Sequence, residues 1–261
     1  MRKDQEKRMY DLLEDAYKRY AVKGFIQDDP VQFIYRFDRK EDREIAGLFA
    51  ALMAWGKRSI ILNKVGELLD RMDDSPYEFV LSPGKKKYEV FRGFAHRTFQ
   101  ASDLIGFVAG LKEIYTRHGG LESVFSQPLD ETNYEILQSW RGIQRFRRIM
   151  IGHPEFLMRS HKHISDPTSA SSAKRLHLFL RWMVRKDAVD SGLWNQISKS
   201  DLCCPLDVHT GRISRTLGLL KRTQDDRKAV DELTASLRKI CPEDPIRYDL
   251  ALFGLGAYDG L

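Results

Sequence analysis

Two short runs of the chain carry residue types that can do chemistry. The first is Thr168-Ser169-Ala170-Ser171-Ser172-Ala173-Lys174-Arg175-Leu176, where small residues precede a basic pair and an amphipathic stretch follows. A serine near a helix start caps it, and small side chains let an anion approach the exposed N–H groups at the positive end of the helix dipole. Ser169, Ser171, Ser172 and Arg175 are therefore candidate phosphate contacts. Lys174 falls in the first turn, where the dipole and neighbouring Arg175 both disfavour its charged form. An amine must be neutral to act as a nucleophile, so this setting favours covalent chemistry through a Schiff base. The plainer reading is a Ser-capped helix whose lysine meets solvent or a phosphate.

The second run is Cys203-Cys204-Pro205-Leu206-Asp207-Val208-His209-Thr210-Gly211-Arg212, with Arg215 just beyond. Pro205 stops the preceding segment, and Asp207 is placed to cap a helix beginning at Val208. A capping aspartate is common and needs no chemistry to explain it. The pairing of the two runs adds more. A helix over 171–186 runs about 24 Å away from its start, and the segment 187–206 is long enough to return. Lys174 and Asp207 can thus return to one cleft, each at a helix N-terminus. There the carboxylate accepts the proton of the amine or stabilises a developing cation. Asp207 and His209 could instead be ligands of a metal-dependent phosphohydrolase, but no paired His-Asp motif accompanies them. His161 and His163, two positions apart, point to different faces of a helix, so no metal site is expected.

The elements that must position these residues are helical almost throughout. Met9, Leu12, Leu13, Ala16 and Tyr20 recur at helical spacing over 4–22. Similar patterns predict helices over 41–55, 59–72, 102–117, 131–150, 154–163, 171–186, 208–219, 225–240 and 244–253. A Pro/Gly-bearing loop is expected over 76–87, and strand-like alternation longer than four residues is hard to find. The expected fold is all-α: a single two-lobed helical domain over 1–261. A central lobe would span 40–165, a terminal lobe would combine 1–39 with 166–261, and a cleft would lie between them.

At 261 residues, 42% hydrophobic and 31% charged, the chain can bury a full core and is neither disordered nor membranous. Its net charge of +6 is unevenly spread. Residues 140–186 carry 11 basic and 2 acidic side chains, whereas each remaining stretch is close to neutral. A local excess of +9 points to a polyanionic partner such as nucleic acid. Arg141, Arg145, Arg147 and Arg148, with Arg175, Arg181 and Arg185, are the side chains expected to meet phosphates. The three cysteines are too few for a disulfide framework, the charged N-terminus has no apolar stretch behind it, and no uncharged run is long enough for a bilayer. A cytoplasmic monomer with no membrane association is expected.

The stretch Leu206 to Arg212, followed by Arg215 and Leu217-Gly218-Leu219, resembles the aspartate-bearing segment of the helix-hairpin-helix DNA glycosylases with the Gly/Pro-Asp loop. On that likeness Lys174 matches the lysine that attacks the sugar in bifunctional members. Pro205 and Asp207 match the loop, and Arg212 matches the arginine that follows. The long separation of Lys174 from Asp207 is similar to that in the archaeal 8-oxoguanine glycosylase branch. Overall the chain looks most like an uncharacterised bacterial family sharing "K-R-L-x-x-F-L-R-W-M-V-R" and "P-L-D-x-H-T-G-R", which stand here as Lys174 to Arg185 and Pro205 to Arg212. The resemblance is firmest over residues 165–256. It implies a DNA glycosylase with AP lyase activity, excising a damaged base such as an oxidised purine from double-stranded DNA, or acting at an abasic site. Lys174 and Asp207 would be catalytic, and Ser169, Ser171, Ser172, Arg175, Arg145, Arg148, His209 and Arg212 would contact DNA. Tyr248 and Phe253 would line the base pocket. No cofactor is implied, because the iron–sulfur cysteines of some branches are absent. The family hairpin reads Leu-Pro-Gly-Val-Gly, and Ala170 and Ser172 take its glycine positions, which disfavours left-handed backbone there. The competing reading is a non-catalytic nucleic-acid-binding module of the same fold.

Overall fold

The computed structural model describes residues 3–127 and 137–260. Its helices run α1 Lys3–Tyr20, α2 Gly24–Gln27, α3 Lys40–Leu52, α4 Arg58–Arg71, α5 Pro76–Leu81, α6 Ala101–Arg117, α7 Leu121–Ser126, α8 Gln138–Gly152, α9 Lys174–Val184, α10 Val208–Thr216, α11 Arg227–Ile240 and α12 Asp249–Ala257. Short 3-10 helices occupy Pro30–Arg36, Lys85–Phe91, Met158–His163 and Lys199–Asp201. A two-residue hairpin, β1 Ala95–His96 with β2 Phe99–Gln100, is the strand structure among the described residues. The protein is predominantly helical, as the spacing of its apolar residues requires. No helix of the described residues is long and apolar enough to cross a membrane.

Two compact units divide the chain: Met1–Phe25 with Pro167–Leu261, here the terminal unit, and Ile26–Asp166, the central unit. The central unit begins earlier than residue 40 because the 3-10 helix Pro30–Arg36 buries Pro30, Val31, Phe33 and Ile34 and packs on α3. Its core includes Phe49, Phe99, Phe107, Phe125 and Phe146, all fully buried. In the terminal unit α12 packs on both α1 and α10. Two glycines make that approach possible. A Cβ on Gly254 would lie 2.2 Å from Cδ2 of the Tyr20 ring, and one on Gly256 would meet the Cβ of His209 at 2.9 Å.

Several boundaries differ from the periodicity. The expected helix over 131–150 begins, within the described residues, at Gln138, and residues 131–136 lie outside them. The stretch 154–163 forms a turn and the 3-10 helix Met158–His163 instead of an α-helix. Here Phe156 turns inward against Phe107, with ring centroids 5.1 Å apart. The loop expected over 76–87 contains α5, which starts at Pro76, the position where a missing N–H costs nothing. Finally, α12 starts at Asp249, because the residues from Asp244 to Tyr248 form turns whose side chains are used for pairing.

Candidate functional site

Helix α9 starts at Lys174, three residues later than expected, because the serine run is used differently. Ser171 forms an antiparallel bridge with Asp226, and the Arg227 amide donates to the Ala170 carbonyl at 3.0 Å. Ser169 Oγ accepts from the Ser171 amide and Ser171 Oγ from the Ala173 amide, both at 3.2 Å. The hydroxyls of Ser169 and Ser171 therefore shape the backbone, and Ala173 is the N-cap, with no side-chain bond to the helix. Ala173 is left-handed at φ 47°, a conformation costing roughly 1–2 kcal/mol for a residue with a Cβ. The left-handed turn comes without a glycine, one position before the lysine. Ser172 is half-buried beside it.

Asp207 caps α10, its Oδ1 accepting from the Thr210 amide at 2.8 Å. Its other oxygen, Oδ2, lies 3.7 Å from Lys174 Nζ. The carboxylate is thus divided: one oxygen fixes its direction and the other faces the amine. The Lys174 side chain is 37% exposed and that of Asp207 14%, so the pair opens to solvent on the lysine side. The two distant runs meet in one unit.

Behind Asp207 lies a buried charge network that the sequence reading assigned to phosphates. Arg181 and Arg185 are each only 3% exposed at the side chain. Arg181 bonds Asp190 at 3.1 Å and also Asp249, while Arg185 holds Asp244 and Asp187 at 2.9 Å and Asp190 at 2.5 Å. Neither guanidinium is available to DNA; each is used to neutralise carboxylates inside the unit. Burial pushes the Asp249 carboxyl up against the pull of Arg181, and the charge of Asp207 adds to the rise. Cys204 Sγ donates to Asp249 Oδ1 at 3.6 Å, and the Cys204 amide donates to Thr234 Oγ1 at 3.1 Å. These bonds fix the segment that delivers Asp207. Burial, with Asp249 beside it, raises the Cys204 thiol well above its usual range, so it is no nucleophile.

The remaining candidates are distributed more widely. Burial pushes the Arg175 guanidinium down to about 10, which leaves it charged at neutral pH but drawn inward. His209 Nδ1 lies 3.2 Å from the Gly256 carbonyl and Arg212 Nη2 donates to the same oxygen at 2.7 Å, so both tie α10 to the C-terminal end of α12. Tyr248 is 2% exposed, donates its hydroxyl to Glu14 Oε1 at 2.5 Å, and meets the rings of Tyr10 and Tyr17 edge-on. It packs against α1. Phe253 is half-buried between Phe25, His209 and Tyr258. Arg145 and Arg148 belong to the central unit, together with Arg147, which donates to the carbonyls of His161 and Ile164 and pairs with Asp166. Burial and the charge of Arg148 both lower Arg145. The local +9 is therefore much reduced by internal pairing. Among the described residues no group of three or more His, Cys, Asp and Glu is placed to hold a metal ion.

The sequence did not reveal Asp249 and Thr234, which bond Cys204 ahead of Asp207, or Asp190 and Asp244, which hold Arg181 and Arg185. A faint signal was present: Arg181 in the last turn of α9 and Arg185 at its C-cap stand four positions apart, with Asp187 and Asp190 just beyond. Comparison with curated proteins and with solved structures gives no match. A family model described as "Protein of unknown function (DUF2400)" matches residues 29–258. The match spans well over half of the chain and includes both Lys174 and Asp207, so the chain belongs to the DUF2400 family.

Proposed function

We propose that the protein is a DNA glycosylase with AP lyase activity, in which Lys174 is the nucleophile and Asp207 its partner. The observation that carries this reading is the 3.7 Å approach of Lys174 Nζ to the uncapped oxygen of Asp207, with the amine open to solvent. An exposed ion pair alone contributes little to stability. Its placement at two helix starts, above a buried network that fixes the aspartate, suits chemistry better than structure. In the proposed reaction Asp207 takes a proton from the Lys174 ammonium, and the freed amine adds to C1′ of the damaged nucleotide. The C1′–base bond breaks and its electron pair leaves with the base. The C1′–O4′ bond then breaks as Asp207 gives its proton to O4′, leaving the protonated Schiff base; water takes the C2′ proton and the C3′–O bond breaks, its electron pair leaving with the 3′ phosphate. With its proton passed on to O4′, the ionised Asp207 then stabilises the cationic sugar imine. The extruded-base geometry such enzymes need places the target nucleotide outside the stack.

One observation favours the second reading, a binding module without turnover: the bond from Thr210 to Asp207 would be there for an N-cap of no catalytic use. Single-turnover base excision on duplexes carrying oxidised purines separates the two. D207N should slow excision by a factor of at least 100, the lower range for a lost general base, with DNA affinity nearly unchanged. Equal losses in excision and binding, or no excision by the wild type on any such duplex, would favour the module.

A further inference from the structure

A cavity of about 330 Å³ opens on the central unit between α6, Tyr88 of the 3-10 helix Lys85–Phe91, and the residues that follow α8. Its walls are held by close packing. A Cβ on Gly106 would meet the Glu155 carbonyl oxygen and the Phe156 Cα at 3.0 Å, and one on Gly110 would meet the Met150 sulfur at 2.6 Å. The volume is roughly ten times the ~30 Å³ that one water occupies, and it lies at the lower end of small-molecule sites.

Hydrogen-bond donors converge along this cavity. Lys87 gives its three N–H groups to the carbonyls of Phe79, Val80 and Ser82, each at 2.9 Å. Lys112 on α6 donates to the same Ser82 carbonyl at 3.3 Å, which leaves two of its N–H groups for the cavity it lines. Two ammonium groups thus crowd one carbonyl. Burial and the charge of Lys112 bring Lys87 down to about 8, and no carboxylate among the described residues offsets them. An anion seated against Lys112 would supply the missing negative charge. His153 Nδ1 accepts from the Glu155 amide at 3.1 Å, so Nε2 of the neutral ring is a donor. Burial and the charge of Glu155 raise the Tyr88 hydroxyl above its usual range, which keeps it protonated as a further donor.

Acidic side chains complete the lining. Glu113 lies 3.9 Å from both Arg117 and His118, and Glu155 pairs with Lys85 at 2.7 Å. A nucleic-acid backbone laid over the opening would bring its flanking phosphates against these carboxylates. A compact ligand avoids that repulsion by setting one anionic group at Lys112 and its hydroxyls at Glu113. We propose that the cavity binds a small hydroxylated phosphate monoester, a sugar phosphate or a nucleoside monophosphate, with its phosphate on Lys112 and His153. A phosphate has more acceptor oxygens than a carboxylate for the converging donors of Lys112, His153 and Tyr88. The site belongs to the central unit and is independent of the chemistry proposed for Lys174, which belongs to the terminal unit.

The test titrates the full chain by calorimetry with adenosine 5′-monophosphate and with ribose 5-phosphate, using adenosine and inorganic phosphate for comparison. At least one monoester should bind with a dissociation constant below about 1 mM, and adenosine should show no binding in that range. K112Q should weaken the monoester about tenfold or more, the scale of a lost hydrogen bond to a charged group. Lys86 is exposed on the same 3-10 helix and outside the cavity lining, so K86Q should leave the affinity unchanged. Because K112Q also loses its bond to Ser82, the wild type supplies a second readout: lysine acetylation with and without the monoester, mapped by mass spectrometry. The monoester should protect Lys112 and leave Lys86 reactive. Failure of both monoesters to bind, equal losses in K112Q and K86Q, or no protection at Lys112 would overturn the proposal. Inorganic phosphate binding as tightly as the monoesters would mark an adventitious ion only and overturn it as well. So would duplex DNA that displaces the monoester and gives Lys112 the same protection, because the anion would then be a nucleic-acid backbone.

Discussion

Replacing Asp103 by asparagine tests how the central unit holds its Met158–His163 segment. Asp103 is fully buried, yet it accepts from the Gln100 amide at 2.8 Å, from Ser160 at 2.6 Å and from Arg159 at 3.0 Å. His163 stands 3.5 Å from the same carboxylate. Burial pushes this carboxyl up, but His163, the Ser160 hydroxyl and the Gln100 amide together outweigh it and bring it from 3.8 down to about 2. That depression corresponds to about 2 kcal/mol of folding free energy. Because the folded value lies below the unfolded one, the stabilisation is complete above about pH 4 and is lost as the pH falls towards 2. Asparagine imitates the protonated acid, so D103N should be about 2 kcal/mol less stable in urea at neutral pH. The gap between wild type and variant should close as the pH is lowered through that window. Amide exchange at residues 157–163 should also accelerate in the variant at neutral pH. A gap below about 0.5 kcal/mol, or one independent of pH, would refute the reasoning, because surface substitutions alone lie in that range.

Other substitutions probe the terminal unit. Arg181→Met removes the buried partner of Asp190 and Asp249 and should cost about 3–5 kcal/mol in urea unfolding, the usual penalty for leaving a buried charge unpaired. Gly256→Ala places a methyl 2.9 Å from the His209 Cβ and 3.1 Å from its carbonyl oxygen, so α10 must shift. It should lose about 1–3 kcal/mol of stability, and excision should fall more than DNA binding because Asp207 moves with α10. Ala173→Gly relieves the left-handed strain before Lys174 and should raise the urea midpoint slightly, with a gain of at most about 1 kcal/mol.

The helices were legible where an apolar stripe is long: α1, α3, α4, α6 and α11 follow their spacing to within a few residues. Boundaries shifted where a tertiary contact overrides the local pattern. Ser171 looked like a cap but bridges to Asp226, and the left-handed residue is Ala173, not Ala170 or Ser172 at the family's glycine positions. Chain length permitted the meeting of Lys174 and Asp207 without requiring it, and the fold brings Nζ and Oδ2 to 3.7 Å. The fate of the arginines was not legible. Arg181 and Arg185 count as positive charge in the sequence, while the carboxylates that consume them include Asp244 and Asp249, far along the chain. Charge counts add residues without knowing their partners, and for that reason the basic excess overstated the available surface. Exposure is equally hidden: Leu157 and Met158 sit in a helical-looking stretch, yet they are exposed while Phe156 beside them turns inward against Phe107.

The most direct test of Lys174 chemistry is borohydride reduction of the protein mixed with a duplex carrying an abasic site, followed by peptide mapping of the trapped product. The wild type should give one covalent protein–DNA adduct, mapped to Lys174, and K174Q should give none while still binding the duplex. A duplex bound by the wild type without any adduct, or an adduct that survives in K174Q, would contradict the assignment of Lys174 as the nucleophile.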